Sequence, residues 1–241
     1  MKSETYYTKA IILSRQVYRE NDSKVLMYTL ENGMLELVAR GTGKKTSKLA
    51  SHIEPITLSD VMVIRGRNHD YVGTSSAENC FRKLKEDYEK IVVAGEVIAG
   101  FNQIIKKNEV DENIFFLVLN FLHFLNDAEL GSNELIILKI VFEIKFLKLL
   151  GYLPSFSRCS RCDERDISKL KYFNNQEGGV VCSKCVLAAN EENVIIDEDL
   201  INNIKFLTKC NFDEILKIDI SPKIIAKINN IVGSFKKYQF E

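Results

Sequence analysis

The chain has 241 residues, with 33 Lys/Arg balanced by 33 Asp/Glu and a hydrophobic fraction of 46%. That length allows one large domain or two to three small ones, each with its own core. The composition is globular, and the zero net charge argues against a uniformly basic nucleic-acid binder.

The charge is unevenly placed, however. Residues 1–85 hold 14 Lys/Arg and 9 Asp/Glu, whereas residues 86–150 hold 6 and 11. Basic and acidic segments are therefore expected to form separate surfaces. The opening "MKSETYYTKAIILSRQ" carries charges on both sides of a very short apolar run, unlike an export signal. The apolar stretches 114–125 and 135–150 are short or broken by charges, so a soluble, cytoplasmic protein without membrane contact is expected.

The first segment reads as β structure. "KAIILSRQVYR", "KVLMYTLE", "MLELVAR", "ITLSDVMVIRG" and "DYVGTSS" are short runs rich in Val, Ile, Leu, Tyr and Thr, separated by turn residues. Asn32-Gly33 predicts a type I′ hairpin, because this pair tolerates positive φ angles. Leu35, Leu37 and Ala39 face one way, with Glu36 and Arg40 on the other face. Five short strands suit a small OB-type barrel over residues 1–82, the expected DNA-binding domain.

Between the third and fourth strands lies "RGTGKKTSK", residues 40–48. It is not a nucleotide-binding loop: aligned on Gly43-Lys44, the first glycine's place is Val38, and Lys45 stands where Ser or Thr would bind magnesium. No nucleotide is expected. Four cations and two glycines suit a mobile loop contacting a polyanion, with a solvated surface loop as the alternative. Arg40, Lys44, Lys45 and Lys48 are the candidate phosphate contacts, helped by Arg15, Arg65 and Arg67. Tyr18, Tyr28 and Tyr71 are candidate stacking faces, although strand tyrosines commonly serve as packing.

From residue 83 the apolar period becomes helical. Three helices are expected in succession, the first running from Leu84 to Asn108 unbroken, with Asp111 capping the second and Asn133 the third. The third is the most apolar and is expected at the centre of a bundle, ended by Gly151 and Pro154. Two further helices follow the cysteines, the last with Ser221 as cap and Pro222 in its first turn.

The strongest chemical signal is "CSRC" followed 19 residues later by "CSKC": Cys159, Cys162, Cys182 and Cys185. Each pair turns two thiolates toward one tetrahedral site, and four protein ligands leave no open position. One structural zinc ion is expected, held in an insert spanning about residues 156–188, with Gly178-Gly179 turning a hairpin inside it. Disulfides do not suit a cytoplasmic chain, and a redox C-x-x-C does not call for a matching second pair. Arg158, Arg161 and Lys184 flank the cysteines and either touch DNA or solvate the knuckles. Cys80, Cys210 and the three histidines form no catalytic pattern, so no enzyme activity is expected.

This order of parts resembles the bacterial DNA repair protein RecO family. The resemblance rests on "VYRENDSKVLMYTLENGMLELVARGTGKKTSKLASHIEPITL" at residues 17–58, on "FEIKFLKLLGYLPSFSRCSRC" at 142–162, and on the closing "GSFKKYQF" at 233–240. It implies an α+β protein: an N-terminal OB domain followed, over residues 83–241, by an all-α helical bundle carrying the zinc insert. It also implies a recombination mediator of the SOS response and the RecFOR pathway. Such a protein binds single- and double-stranded DNA, anneals strands, engages RecR and the single-strand-binding protein's C-terminal tail, and helps RecA load. Location in the bacterial cytoplasm at the nucleoid follows. The alternative is a zinc-containing adaptor that docks proteins and does little with DNA.

Overall fold

Alternating apolar residues shape the N-terminal strands, each sending every second side chain inward. In the computed structural model, which describes residues 4–107, 109–186 and 193–240, these are β1 (Thr5–Val17), β2 (Ser23–Thr29), β3 (Gly33–Ala39), β4 (Thr57–Ile64) and β5 (Tyr71–Asn79). They close into a barrel in the order β1-β2-β3-β5-β4. Its interior is filled by Ala10, Ile12, Val25, Met27, Leu37, Ala39, Val61, Val63 and Val72, with Ile53 from the β3–β4 connection plugging one side. A bulge between Ile12 and Ser14 lets β1 bend so that its first part pairs with β4 and its last part with β2. Closure rests on one parallel pair, Val38 with Tyr71, backed by the Val38 N–H donating to the Asp70 carbonyl at 2.9 Å.

The β2–β3 turn differs from the type I′ expectation. Thr29 pairs with Gly33, leaving a three-residue loop of Leu30, Glu31 and Asn32, after which Gly33 takes positive φ, at 65°. The Thr29 hydroxyl favours this longer loop by donating to the Gly33 carbonyl at 2.8 Å and accepting the Asn32 N–H at 3.1 Å.

The helix expected to run unbroken from Leu84 is two: α1 (Arg82–Glu86) and α2 (Tyr88–Ile104). Asp87 between them is extended, and its carboxylate accepts the Lys90 N–H at 3.1 Å, so it starts a new helix. α3 (Glu112–Asp127) is capped by Asp111 as expected, through the amides of Asn113 and Ile114. These helices share a second core with the barrel. Tyr28, fully buried, meets Phe101 edge-on at 5.0 Å and stacks on Phe115 at 6.4 Å. Residues Met1–Ala128 accordingly form one compact unit and Glu129–Glu241 a second. The change from strand to helix falls near residue 82, well before that division.

In the second unit, α4 (Ser132–Leu149) follows Gly131 and is not capped by Asn133, which lies inside it. Ten of its residues are buried, Glu143 among them. β6 (Leu170–Asn174) and β7 (Gly179–Cys182) make the expected hairpin, and β8 (Asn193–Ile195), absent from the sequence reading, extends it to the order β7-β6-β8. α5 (Glu198–Lys209) and α6 (Pro222–Phe240) complete the unit. α6 packs on α4, where Lys236 pairs with the buried Glu143. Residues 187–188 of the expected insert lie outside the described residues. No helix among the described residues is long and apolar enough to cross a membrane.

Candidate nucleic-acid interface and metal centre

Three connections of the barrel meet at one place: the β1–β2 turn, the "RGTGKKTSK" loop after β3, and the β4–β5 turn. The loop is tied to the first turn by the Gly41 N–H on Asp22 Oδ1 and the Gly43 N–H on the Asn21 carbonyl, both at 2.9 Å. Gly43 suits this close approach, since a Cβ would lie 3.2 Å from Asn21 Cα, a tight contact. The two turns meet through Tyr18 and His69, whose rings lie edge to face at 6.2 Å. The loop is therefore not mobile along its whole length, as the sequence had suggested: Thr42 is buried, and its hydroxyl lies 2.7 Å from that of Ser23.

The candidate cations divide into two kinds. Lys44, Lys45 and Lys48 are exposed and have no ion-pair partner among the described residues. Arg40 is exposed and lies over the Tyr71 ring at 4.2 Å, at the closure of the barrel. Arg67 is exposed on the β4–β5 turn. Arg65 pairs with Glu4 at 3.3 Å and lies over Tyr6.

Arg15 is of the other kind. Its guanidinium donates to the carbonyls of Ala50 and Thr42 at 3.1 Å, to Glu54 at 2.9 Å and to Ser23 Oγ at 3.2 Å. It shapes the loop from beneath and presents little to solvent. Of the tyrosines, Tyr18 carries Arg19 and Lys24 at 5.1 Å over its ring, while Tyr28 is buried and offers no stacking face. Arg19 and Lys24 were missed in the sequence, where nothing marks a cation that stacks on a neighbour across a turn.

The candidate metal centre is built by two tight turns brought together by the β6–β7 hairpin. Cys159 and Cys162 lie on a turn closed by the Asp163 N–H on the Cys159 carbonyl at 3.0 Å, with Asp163 at φ 62°. Cys182 and Cys185 lie on a second, closed by the Cys185 N–H on the Cys182 carbonyl at 3.0 Å. Gly179 allows the two to approach: a Cβ there would lie 2.6 Å from the Ser155 carbonyl oxygen.

All four Sγ atoms lie within 4.8 Å of one another, Cys162 and Cys182 at 3.7 Å. A tetrahedral ion with bonds of ~2.3 Å to sulfur sets its ligands about 3.8 Å apart, so the donor set fits one thiophilic metal ion. Burial raises the Cys159 thiol, but amide donors from Cys182, Cys162 and Arg161 outweigh it and bring it to about 7. Cys185 is pushed up to about 12, chiefly by the thiols of Cys162 and Cys182. Four adjacent sulfurs cannot all ionise by themselves; a dication supplies the missing charge. Of the flanking cations, Arg158 pairs with Asp163 at 2.9 Å and Arg161 with Glu177 at 2.6 Å, while Lys184 is exposed.

Comparison with known families bears on both sites. The family model for the N-terminal part of recombination protein O matches residues 1–80, and that for its C-terminal part matches residues 85–241. The chain belongs to the RecO family. Among its relatives, DNA repair protein RecO of Pelotomaculum thermopropionicum is 30% identical over 239 residues, covering 98% of this chain and 90% of the relative. DNA repair protein RecO of Thermoanaerobacter sp. is 25% identical over 234 residues, covering 97% and 92%. That of Clostridium perfringens is 26% identical over 223 residues, covering 92% and 88%. The N-terminal family match contains the whole three-connection cluster, and the C-terminal match contains the four cysteines.

Proposed function

We propose that this protein acts in DNA repair as a recombination mediator, binding single- and double-stranded DNA and annealing complementary strands. It then assists RecA loading onto strands covered by single-strand-binding protein, with RecR and that protein's C-terminal tail as partners. The family relation supports the repair role. The observation that carries the DNA-binding part is the cluster of unpaired Lys44, Lys45 and Lys48 on a loop pinned between two barrel turns. Residues 1–82 are the DNA-binding domain in this reading, and the barrel is of the OB type, whose β1–β2 and β4–β5 loops flank the nucleic acid.

Annealing needs a surface that lowers phosphate repulsion without reading bases. Flexible ammonium groups over a fixed base do that, and the guanidinium groups of Arg40 on Tyr71 and Arg19 on Tyr18 add planar faces for stacking. No covalent chemistry is asked of the protein, and we assign it no enzyme activity. The four cysteines hold one structural zinc ion, which supplies the fold of the insert. The protein works in the bacterial cytoplasm at the nucleoid, as part of the response to DNA damage.

Changing Lys44, Lys45 and Lys48 together to alanine tests the reading. Single-strand affinity should fall about equally for all sequences, and each lost contact should reduce the log–log salt slope by roughly 0.7. Metal content and fold should survive, because these side chains are exposed. Unchanged affinity and annealing across a salt titration would leave the adaptor role, in which the protein docks partners and does little with DNA.

A further inference from the structure

Strand pairing fixes what stands on the outer face of β1, β4 and β5. Val61, Val63 and Val72 point into the barrel, so their neighbours along the strands point out. Thr5, Ile64 and Tyr71 are paired across the three strands, and Tyr7, Met62 and Thr74 form the next outward row. Tyr7 is 72% exposed, whereas Ile11, further along the same face of β1, is fully buried. β5 carries a bulge here, since its register with β4 shifts between Met62 and Val63 and leaves Gly73 without an opposite residue. A Cβ on Gly73 would lie 2.8 Å from Ile64 Cδ1 and closer still to Met62 Cε. The glycine thus lets both side chains lie down across β5 as a low apolar floor between Tyr7 and Tyr71. Those two positions are separated by two strand spacings across the sheet and one outward step along it, about 12 Å in all.

Charge places this floor in series with the basic cluster. Arg40, the first residue of "RGTGKKTSK", lies over the Tyr71 ring at 4.2 Å, and the exposed Arg67 belongs to the turn that leads into Tyr71. Arg65 and Glu4, which flank Ile64 and Thr5, pair with each other. Beyond Tyr7, Asp60 and Glu78 both pair with Lys9. Free cations therefore stand at the Tyr71 end and mutually neutralised charges at the Tyr7 end. Between them, Thr5, Tyr7, Met62, Ile64 and Thr74 carry no charge. Such a face has nothing to offer a phosphate and has an aromatic ring to offer a base.

We propose that this face is a stacking track for the bases of a single strand whose phosphates are held at the loop lysines, with Tyr7 as its far platform. The inference rests on the DNA-binding reading of the first unit and extends it beyond the loop. A tyrosine ring accepts any base, so the track adds affinity without sequence preference. Duplex DNA keeps its bases stacked inside and has none to lay on Tyr7.

Tyr7→Ala in the full chain should weaken binding of single-stranded oligodeoxythymidylate about tenfold. Affinity for duplex DNA and the log–log salt slope should stay unchanged, because no phosphate contact is lost. Tyr7→Phe should bind as the unaltered chain does, and both variants should keep its circular dichroism spectrum, the side chain being exposed. The chain has no tryptophan, so Tyr7→Trp supplies a single indole whose emission should be quenched by the single strand and not by the duplex. Full single-strand affinity in Tyr7→Ala, an equal loss on duplex, or an indole blind to saturating strand would overturn the proposal and return the face to a protein-docking or solvated surface. The lysine test reads the salt slope, whereas Tyr7 is read at constant slope. A strand bound with full salt dependence but insensitive to Tyr7 sinks the stacking track alone, and a chain that binds no single strand sinks both readings.

Discussion

Arg15 and Lys44 are both cations of the basic N-terminal region, yet their environments assign them opposite work. Arg15 donates to Ser23, Thr42, Ala50 and Glu54, while Lys44 finds no ion-pair partner among the described residues. Replacing Arg15 by Met leaves two carbonyls and two side-chain oxygens without their donor. The expected cost is about 2–3 kcal/mol in urea denaturation, with Lys restoring only part because it cannot fork. Tyr28 carries a pH signature. Burial pushes its phenol up to about 12 from 10, and its hydroxyl donates to the Asp111 carbonyl and accepts the Asp111 N–H, each at 3.3 Å. Above pH 10 the unfolded tyrosine loses its proton while the folded one keeps it, so stability falls as pH rises from about 10 to 12. The loss is on the order of 2 kcal/mol. Tyr28→Phe should be slightly less stable at neutral pH and should lose less over that alkaline range, as read from denaturation midpoints.

Among the elements, the β6–β7 hairpin depends on a glycine more than on any strand propensity. Gly179→Ala places a methyl against the Ser155 carbonyl and the Ser160 hydroxyl, the latter at 2.8 Å, and both turns of the metal centre would have to move apart. Loss of tightly bound metal is the expected outcome, together with roughly 2 kcal/mol or more of stability. An alanine variant that keeps full metal content after exhaustive dialysis would show that the close approach is not required. The sequence announced this hairpin through Gly178-Gly179, but β8 is three residues long with Ile195 exposed, too short for a period to show. The break between α1 and α2 was likewise hidden. Asp87 inside an apolar-periodic run reads equally as a solvated helix position and as a cap, and the observed hydrogen bond to Lys90 selects the second.

Across the molecule, the two candidate sites belong to different compact units: the basic cluster lies in Met1–Ala128 and the four cysteines in Glu129–Glu241. On the proposed function, removing the zinc with a chelator should therefore expose residues around 159–185 to protease and lower thermal stability, while much of the single-strand affinity persists. Loss of DNA binding in step with metal loss would make the insert part of the interface. Residue types and spacing alone determined the barrel-forming strands, the cluster of four cysteines that could hold a metal ion and the family, because each is a short-range pattern of side-chain chemistry. The tertiary structure decided which cations are free and which are consumed as internal donors, and that Tyr28 is core. It also decided that the first compact unit runs to Ala128. Those outcomes turn on pairings between residues far apart in the chain, such as Arg15 with Ala50 and Tyr28 with Asp111, which no local pattern encodes.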